Sequence, residues 1–155
     1  MKKTRMTAAV LALALSTSVI TAPALAATTQ SQNTKTTQTV QSTKDKFYVA
    51  GFTQKEFNTY FTKLQKAVAK NDKKAVSNLV YYPLNVNSNG KTKVIKNQKQ
   101  FIKEYKAIMT KKVKNSVLKQ KSDKVFVNYK GAMTGNGEVW MSKFNKKLGI
   151  YGINK

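Results

Sequence analysis

Neither cysteine nor histidine occurs in the 155 residues. Their absence excludes disulfides, thiol nucleophiles, Cys/His zinc sites, Ser-His-Asp triads and imidazole acid–base catalysis. Acidic residues are scarce as well: Asp45, Glu56, Asp72, Glu104, Asp123 and Glu138 stand against 29 basic residues, for a formal net charge of +23. Arginine appears once, at Arg5. Base-specific reading leans on the bidentate guanidinium, so sequence-specific nucleic-acid binding is not expected. Nor is a transmembrane span, because the apolar run Ala8–Leu15 falls far short of the ~20 residues a spanning helix needs.

What is present divides the chain into three. Met1–Arg5 is a positive n-region, Ala8–Leu15 an apolar h-region, and Ala24-Leu25-Ala26 after Pro23 an A-x-A cleavage site. Together they predict a signal peptide over residues 1–26, with export to a bacterial periplasm or medium and a mature protein starting at Ala27. Loss of Lys2, Lys3 and Arg5 would leave a net charge of +20. Residues 27–46 are nearly all Thr, Gln, Ser, Asn and Lys, and predict a polar disordered tether. Residues 47–155 suffice for one domain with a core and are too few for two.

Thr53-Gln-Lys-Glu56 forms a capping-box pattern. Phe57, Tyr60, Phe61, Leu64, Ala67 and Val68 then share one helical stripe, with Lys55, Lys63, Lys66 and Lys70 opposite. Asn71-Asp72 starts a short second helix carrying Ala75, Val76 and Leu79. Tyr81–Val86 reads as extended, since Pro83 disfavours helix at Tyr82. Asn87–Gly90 is a turn, and Lys91–Ile95 the returning strand. Asn97 caps a helix bearing Phe101, Ile102, Tyr105, Ile108 and Met109, and a further turn or two runs through Val113, Val117 and Leu118. Strands follow at Lys124–Lys130, Glu138–Phe144 and Leu148–Asn154, joined by Gly131–Gly137 and Asn145–Lys147. The expected class is α+β, in the order α-α-β-β-α-β-β-β.

This order, with Tyr82-Pro-Leu-Asn-Val86, the segment Gly131–Met141 and Tyr151-Gly-Ile-Asn154, resembles the nuclear transport factor 2-like (cystatin-like) superfamily, and within it a group of exported bacterial proteins. The resemblance covers residues 47–155. It implies a cone-shaped, curved antiparallel sheet packed on a long N-terminal helix, a pocket at the wide end, and homodimers through the outer sheet face. It implies no single activity, because that superfamily hosts isomerases, dehydratases, cyclases, dimerisation modules and binding proteins. Its isomerases and dehydratases rely on pocket Asp, Tyr and, in some, His residues. None of the six carboxylates matches such a position, so no catalytic residue is assigned.

Strand alternation places Glu138, Trp140, Ser142 and Phe144 on one sheet face. A carboxylate beside an indole in an apolar pocket would have a raised pKa suited to acid–base work, with Asn128, Phe126, Tyr60 and Tyr105 as neighbours. The competing and favoured reading makes Trp140 core and Glu138 a rim residue paired with a lysine. The glycines of Gly131–Gly137 lack the spacing of a phosphate-cradling loop, and suit a hairpin needing positive φ at Gly135 or Gly137. Between Lys91 and Lys124, twelve lysines face only Glu104 and Asp123. Lys99, Lys103 and Lys106 form a stripe there, the candidate surface for weak, salt-sensitive binding of a polyanion or acidic partner, against the favoured reading of a solvated basic surface with lysines on every element.

Three functions compete on these grounds. The first is an exported non-catalytic domain that binds a small ligand or anionic partner through a cone pocket or basic surface. The second is an isomerase/dehydratase-type enzyme with Glu138 as base. The third is a protein-interaction module, an inhibitor or immunity-type protein, steered by its charge. No metal or cofactor is expected in any of them.

Overall fold

A computed structural model describes residues 45–155. The expected signal peptide and residues 27–44 of the expected tether lie outside the described residues. Its last two residues do not behave as tether. Asp45 accepts hydrogen bonds from the backbone N–H of Phe47 (3.0 Å) and of Gln54 (2.7 Å), and Lys46 donates to the carbonyls of Asp123 (2.7 Å) and Val125 (2.9 Å). The folded unit therefore includes Asp45, two residues before the expected boundary at Phe47.

After a 3₁₀ turn at Lys46–Ala50, the capping box forms as its pattern predicts. The Thr53 hydroxyl accepts from the Glu56 N–H, and the Glu56 carboxylate from the Thr53 N–H. It opens α1 (Gln54–Ala69), whose six stripe residues are all buried. Asp72 caps α2 (Lys73–Ser77). Strands β1 (Val80–Ser88) and β2 (Lys91–Ile95) form a hairpin across Asn89-Gly90, both at positive φ. Asn97 caps α3 (Gln98–Ile108), and Thr110 caps α4 (Lys111–Lys119), which buries Val113 and Val117. Four strands finish the chain: β3 (Phe126–Asn128), β4 (Gly131–Thr134), β5 (Val139–Phe144) and β6 (Lys147–Asn154).

The element order is α-α-β-β-α-α-β-β-β-β, with one helix and one strand more than expected. The extra strand lies in the segment taken for a glycine-rich connection. Gly131 serves strand pairing there, because a Cβ would sit 2.1 Å from the Met141 carbonyl oxygen. Only Gly135 (φ +56°) and Gly137 (φ +103°) serve the following turn.

The strands form one six-stranded sheet in the order β2-β1-β6-β5-β4-β3. The sheet is mixed, correcting the antiparallel expectation, because β6 runs parallel to β1 while all other pairs are antiparallel. β6 lies between β1 and β5, with Ile150 and Ile153 fully buried. At Tyr151, β6 holds one residue more than β5, and the β1–β6 register shifts at the same level. Such bulges bend strands and increase their twist.

The inward strand residues Leu84, Val86, Ile95, Ala132, Val139, Met141, Ile150 and Ile153 join the buried side chains of the helices in one core. Phe47, Phe52, Phe57 and Phe61 stack in succession at its N-terminal end, with centroid separations of 4.8–6.1 Å. No helix among the described residues is long and apolar enough to cross a membrane.

Candidate functional site

Glu138 and Trp140 do not share a pocket. Glu138 precedes β5, in the turn closed by the Gly137 and Glu138 N–H groups on the Thr134 carbonyl. Its buried carboxylate accepts from the Asn136 N–H at 2.7 Å, with Lys112 Nζ at 3.5 Å. Strand alternation misplaced it because regular pairing begins only at Val139. Trp140 is half-buried on the opposite, helix-free face, beside Tyr151. The lysine pairing of Glu138 is thus as expected, but the residue is buried rather than at a rim, and Trp140 is not core.

The other pocket candidates are equally dispersed. Tyr60 is buried and donates to the Leu79 carbonyl at 2.6 Å, and burial pushes its phenol pKa far up. Tyr105 is buried against Phe101, with Lys114 Nζ 5.6 Å from its ring centre; its hydroxyl has no partner among the described residues. Asn128 accepts from the Lys130 N–H and shapes the β3–β4 turn.

Five of the six carboxylates have structural partners. Asp45, Glu56 and Asp72 cap helices, Glu104 pairs with Lys93 at 2.5 Å, and Glu138 holds its turn. The Lys143 ammonium, followed by the Thr53 N–H, holds the Glu56 carboxyl below its usual range. Lys93 and then Gln100 do the same for Glu104. Among the described residues no three acidic side chains cluster as a metal site would require.

Two clefts concentrate the positive charge. One, of about 460 Å³, lies between α1 and the β5–β6 turn and is lined by Lys55, Lys63, Lys143, Lys146 and Lys147 around Tyr60 and Leu148. Its one carboxylate, Glu56, is bonded to Lys143 at 2.6 Å. The other, of about 440 Å³, is lined by Lys112, Lys119, Lys121 and Lys124 beside the Glu138 turn. Lys99, Lys103 and Lys106 are exposed on α3 and line neither.

Sequence reading missed Lys143, Lys146 and Lys147 because the first cleft joins residues about ninety positions apart. One signal was available. Asn145-Lys146 forms a two-residue hairpin turn with φ of 46° and 63°, matching Asn89-Gly90 but with lysine where glycine is favoured.

A third cleft, of about 330 Å³, opens on the helix-free sheet face. Asn85, Asn87, Lys130, Trp140, Tyr151, Gly152 and Asn154 line it. Asn87 donates to the Asn154 side-chain oxygen at 2.8 Å and accepts from the Thr92 hydroxyl at 2.7 Å. The Tyr151 hydroxyl donates to the Lys130 carbonyl at 3.1 Å. Comparison with known proteins gives no match to a family model, a curated protein or a solved structure.

Proposed function

We propose that this chain is an exported, non-catalytic binding domain of nuclear transport factor 2-like fold whose lysine clefts hold a polymer of repeating phosphate or carboxylate groups. The observation that carries the reading is the cleft between α1 and the β5–β6 turn, where five lysines meet one carboxylate that is already paired. Concave placement focuses the field that an exposed stripe would spread into solvent. Lys146 adds to this: a non-glycine residue in the left-handed region costs about 1 kcal/mol, and here that residue brings an ammonium to the cleft.

The absence of catalysis is supported by the structural use of the carboxylates and the lack of histidine and cysteine. Export is supported by the signal pattern of residues 1–26. The fold assignment draws support from α1 packing in one core with the inner face of a sheet whose β6 carries an extra residue at Tyr151. Lysine ammoniums are point charges with little geometric preference, so charge density outranks sequence in choosing the partner.

Polyphosphate and polyglutamate titrations across salt test this. Lys63→Glu, Lys146→Glu and Lys147→Glu together should weaken binding at least about tenfold more than the same reversal at Lys99, Lys103 and Lys106, where only the general field is lost. Equal weakening by the two triples would refute the cleft. Lys146→Gly should weaken binding while raising stability by about 0.5–1 kcal/mol, measured by urea unfolding.

A further inference from the structure

The helix-free sheet face carries polar chemistry that the lysine clefts do not use. The Trp140 indole N–H and the Asn85 carboxamide have no hydrogen-bond partner among the described residues, and both border the same cleft. Asn87 and Asn154 are held by each other, and Asn154 is also fixed by the Gly137 carbonyl, leaving each amide with further capacity. The Tyr151 hydroxyl, whose one proton goes to Lys130, retains lone pairs. Gly152 faces the Trp140 side chain from across the strand pair and adds no bulk of its own to the cleft.

We infer that this cleft binds a pyranose unit of a glycan, with an acidic substituent directed at Lys130. A pyranose presents an apolar C–H face for an indole and a rim of hydroxyls, each both donor and acceptor. Carboxamides answer both roles at once, whereas an aliphatic or aromatic ligand would leave the Asn85 amide and the spare capacity of Asn87 and Asn154 unanswered in a desolvated contact. Lys130 is the cleft's one charged residue; its ammonium lies 5.7 Å from the Tyr129 ring centre, and rotation of that exposed side chain would bring it to a uronate carboxylate or a sugar phosphate. A second copy of the chain, the occupant that the resemblance implies for this face, is opposed by its charge. The described residues alone carry 24 lysines against six carboxylates, so self-association brings like charges together.

Trp140 is the chain's single tryptophan, so its emission reports on this cleft alone. Full-length mature protein should be titrated at about 0.15 M salt, where exposed charges are screened beyond about 8 Å. The probes are oligogalacturonate, an oligomer of N-acetylglucosamine 6-phosphate, neutral cello-oligosaccharide, and polyphosphate as the sugar-free polyanion. The expected result is a saturable emission shift with the acidic saccharides, a weaker one with the neutral saccharide, and none with polyphosphate.

The two acidic sugars distinguish a carboxylate from a phosphate source. Asn85→Ala, an exposed change, should weaken the acidic saccharides about three- to tenfold, the value of one or two hydrogen bonds. Its polyphosphate affinity should be unchanged, which separates this site from the lysine clefts. Three outcomes would overturn the inference: no emission shift with any saccharide, polyphosphate matching them, or emission that follows protein concentration because a second copy covers the face.

Discussion

The two faces of the sheet solve different problems with the same strands. Inward positions carry aliphatic side chains and one methionine that are fully buried, such as Leu84, Val139, Met141, Ile150 and Ile153. Outward positions carry Tyr81, Asn85, Asn87, Trp140, Phe144 and Tyr151, interrupted by Gly149 and Gly152. The inner face gains stability from close packing against helices. The outer face has its own order of ring against ring: Tyr81 on Phe144 at 4.9 Å, Phe144 on Tyr151 at 5.7 Å, and Trp140 near Tyr151 at 6.5 Å. The Tyr81 hydroxyl donates to the Lys147 carbonyl at 2.6 Å and lies against that of Phe144, so even this exposed face has fixed geometry. Close packing and exposed polar chemistry are thus divided between the two faces of one sheet.

Removing a large side chain from the inner side should show the biggest effect. Phe57→Ala deletes a ring stacked between Phe47 and Phe61, and is expected to cost about 3–5 kcal/mol by urea unfolding. A loss below about 1.5 kcal/mol would mean that the Phe stack is not part of the cooperative core. On the outer side, Gly149→Ala places a methyl 2.4 Å from the Tyr81 ring. It should cost about 1–3 kcal/mol as the ring shifts, and tyrosine near-ultraviolet dichroism should report the shift. A neutral result would show that the outer rings are not fixed.

The smallest effect tests the inner face from the opposite direction. Tyr105→Phe removes a buried hydroxyl without a partner among the described residues, and should be neutral or stabilising by up to about 1 kcal/mol. A clear loss of stability would show that the hydroxyl has a partner after all.

The pH profile follows from the same structure. Glu56 and Glu104 are held below their ordinary 4.5, so their contribution is complete above that value and disappears as pH falls through the lower folded values. Burial raises the phenols of Tyr60, Tyr105 and Tyr82, the last to about 12. Their contribution is complete below pH 10 and declines as pH rises further, when the unfolded chain ionises first. With no histidine, the melting temperature should be flat from about pH 6 to 9. A step within that window would contradict this.

Much of the fold was legible because the relevant signals are local. Caps at Thr53, Asp72 and Asn97, the stripe Phe57–Val68, and the turn Asn89-Gly90 each act within a few residues. The parallel β1–β6 pairing was not legible, since nothing local in Val80–Ser88 names a partner some seventy residues away. The sites were harder still. Glu138 and Trp140 are two apart, and alternation assigns them to one face only if the strand already includes Glu138, whose carboxylate is instead held by Asn136 in the turn. The lysine cleft depends on α1 meeting a hairpin tip, a juxtaposition that composition alone does not encode.

The extra residue at Tyr151 has a consequence for how this sequence can change over time. Substitutions along β6 alter one side chain, but deletion of Tyr151 would make the Ile150–Met141 and Gly152–Trp140 pairs consecutive, removing the bulge and its bend while leaving Ile153 inward. Because β1 changes register against β6 at the same level, a length change in either strand disturbs the other. Insertions and deletions at Tyr81–Leu84 and at Tyr151 should therefore be inherited together or not at all, while the residues on either side drift one letter at a time.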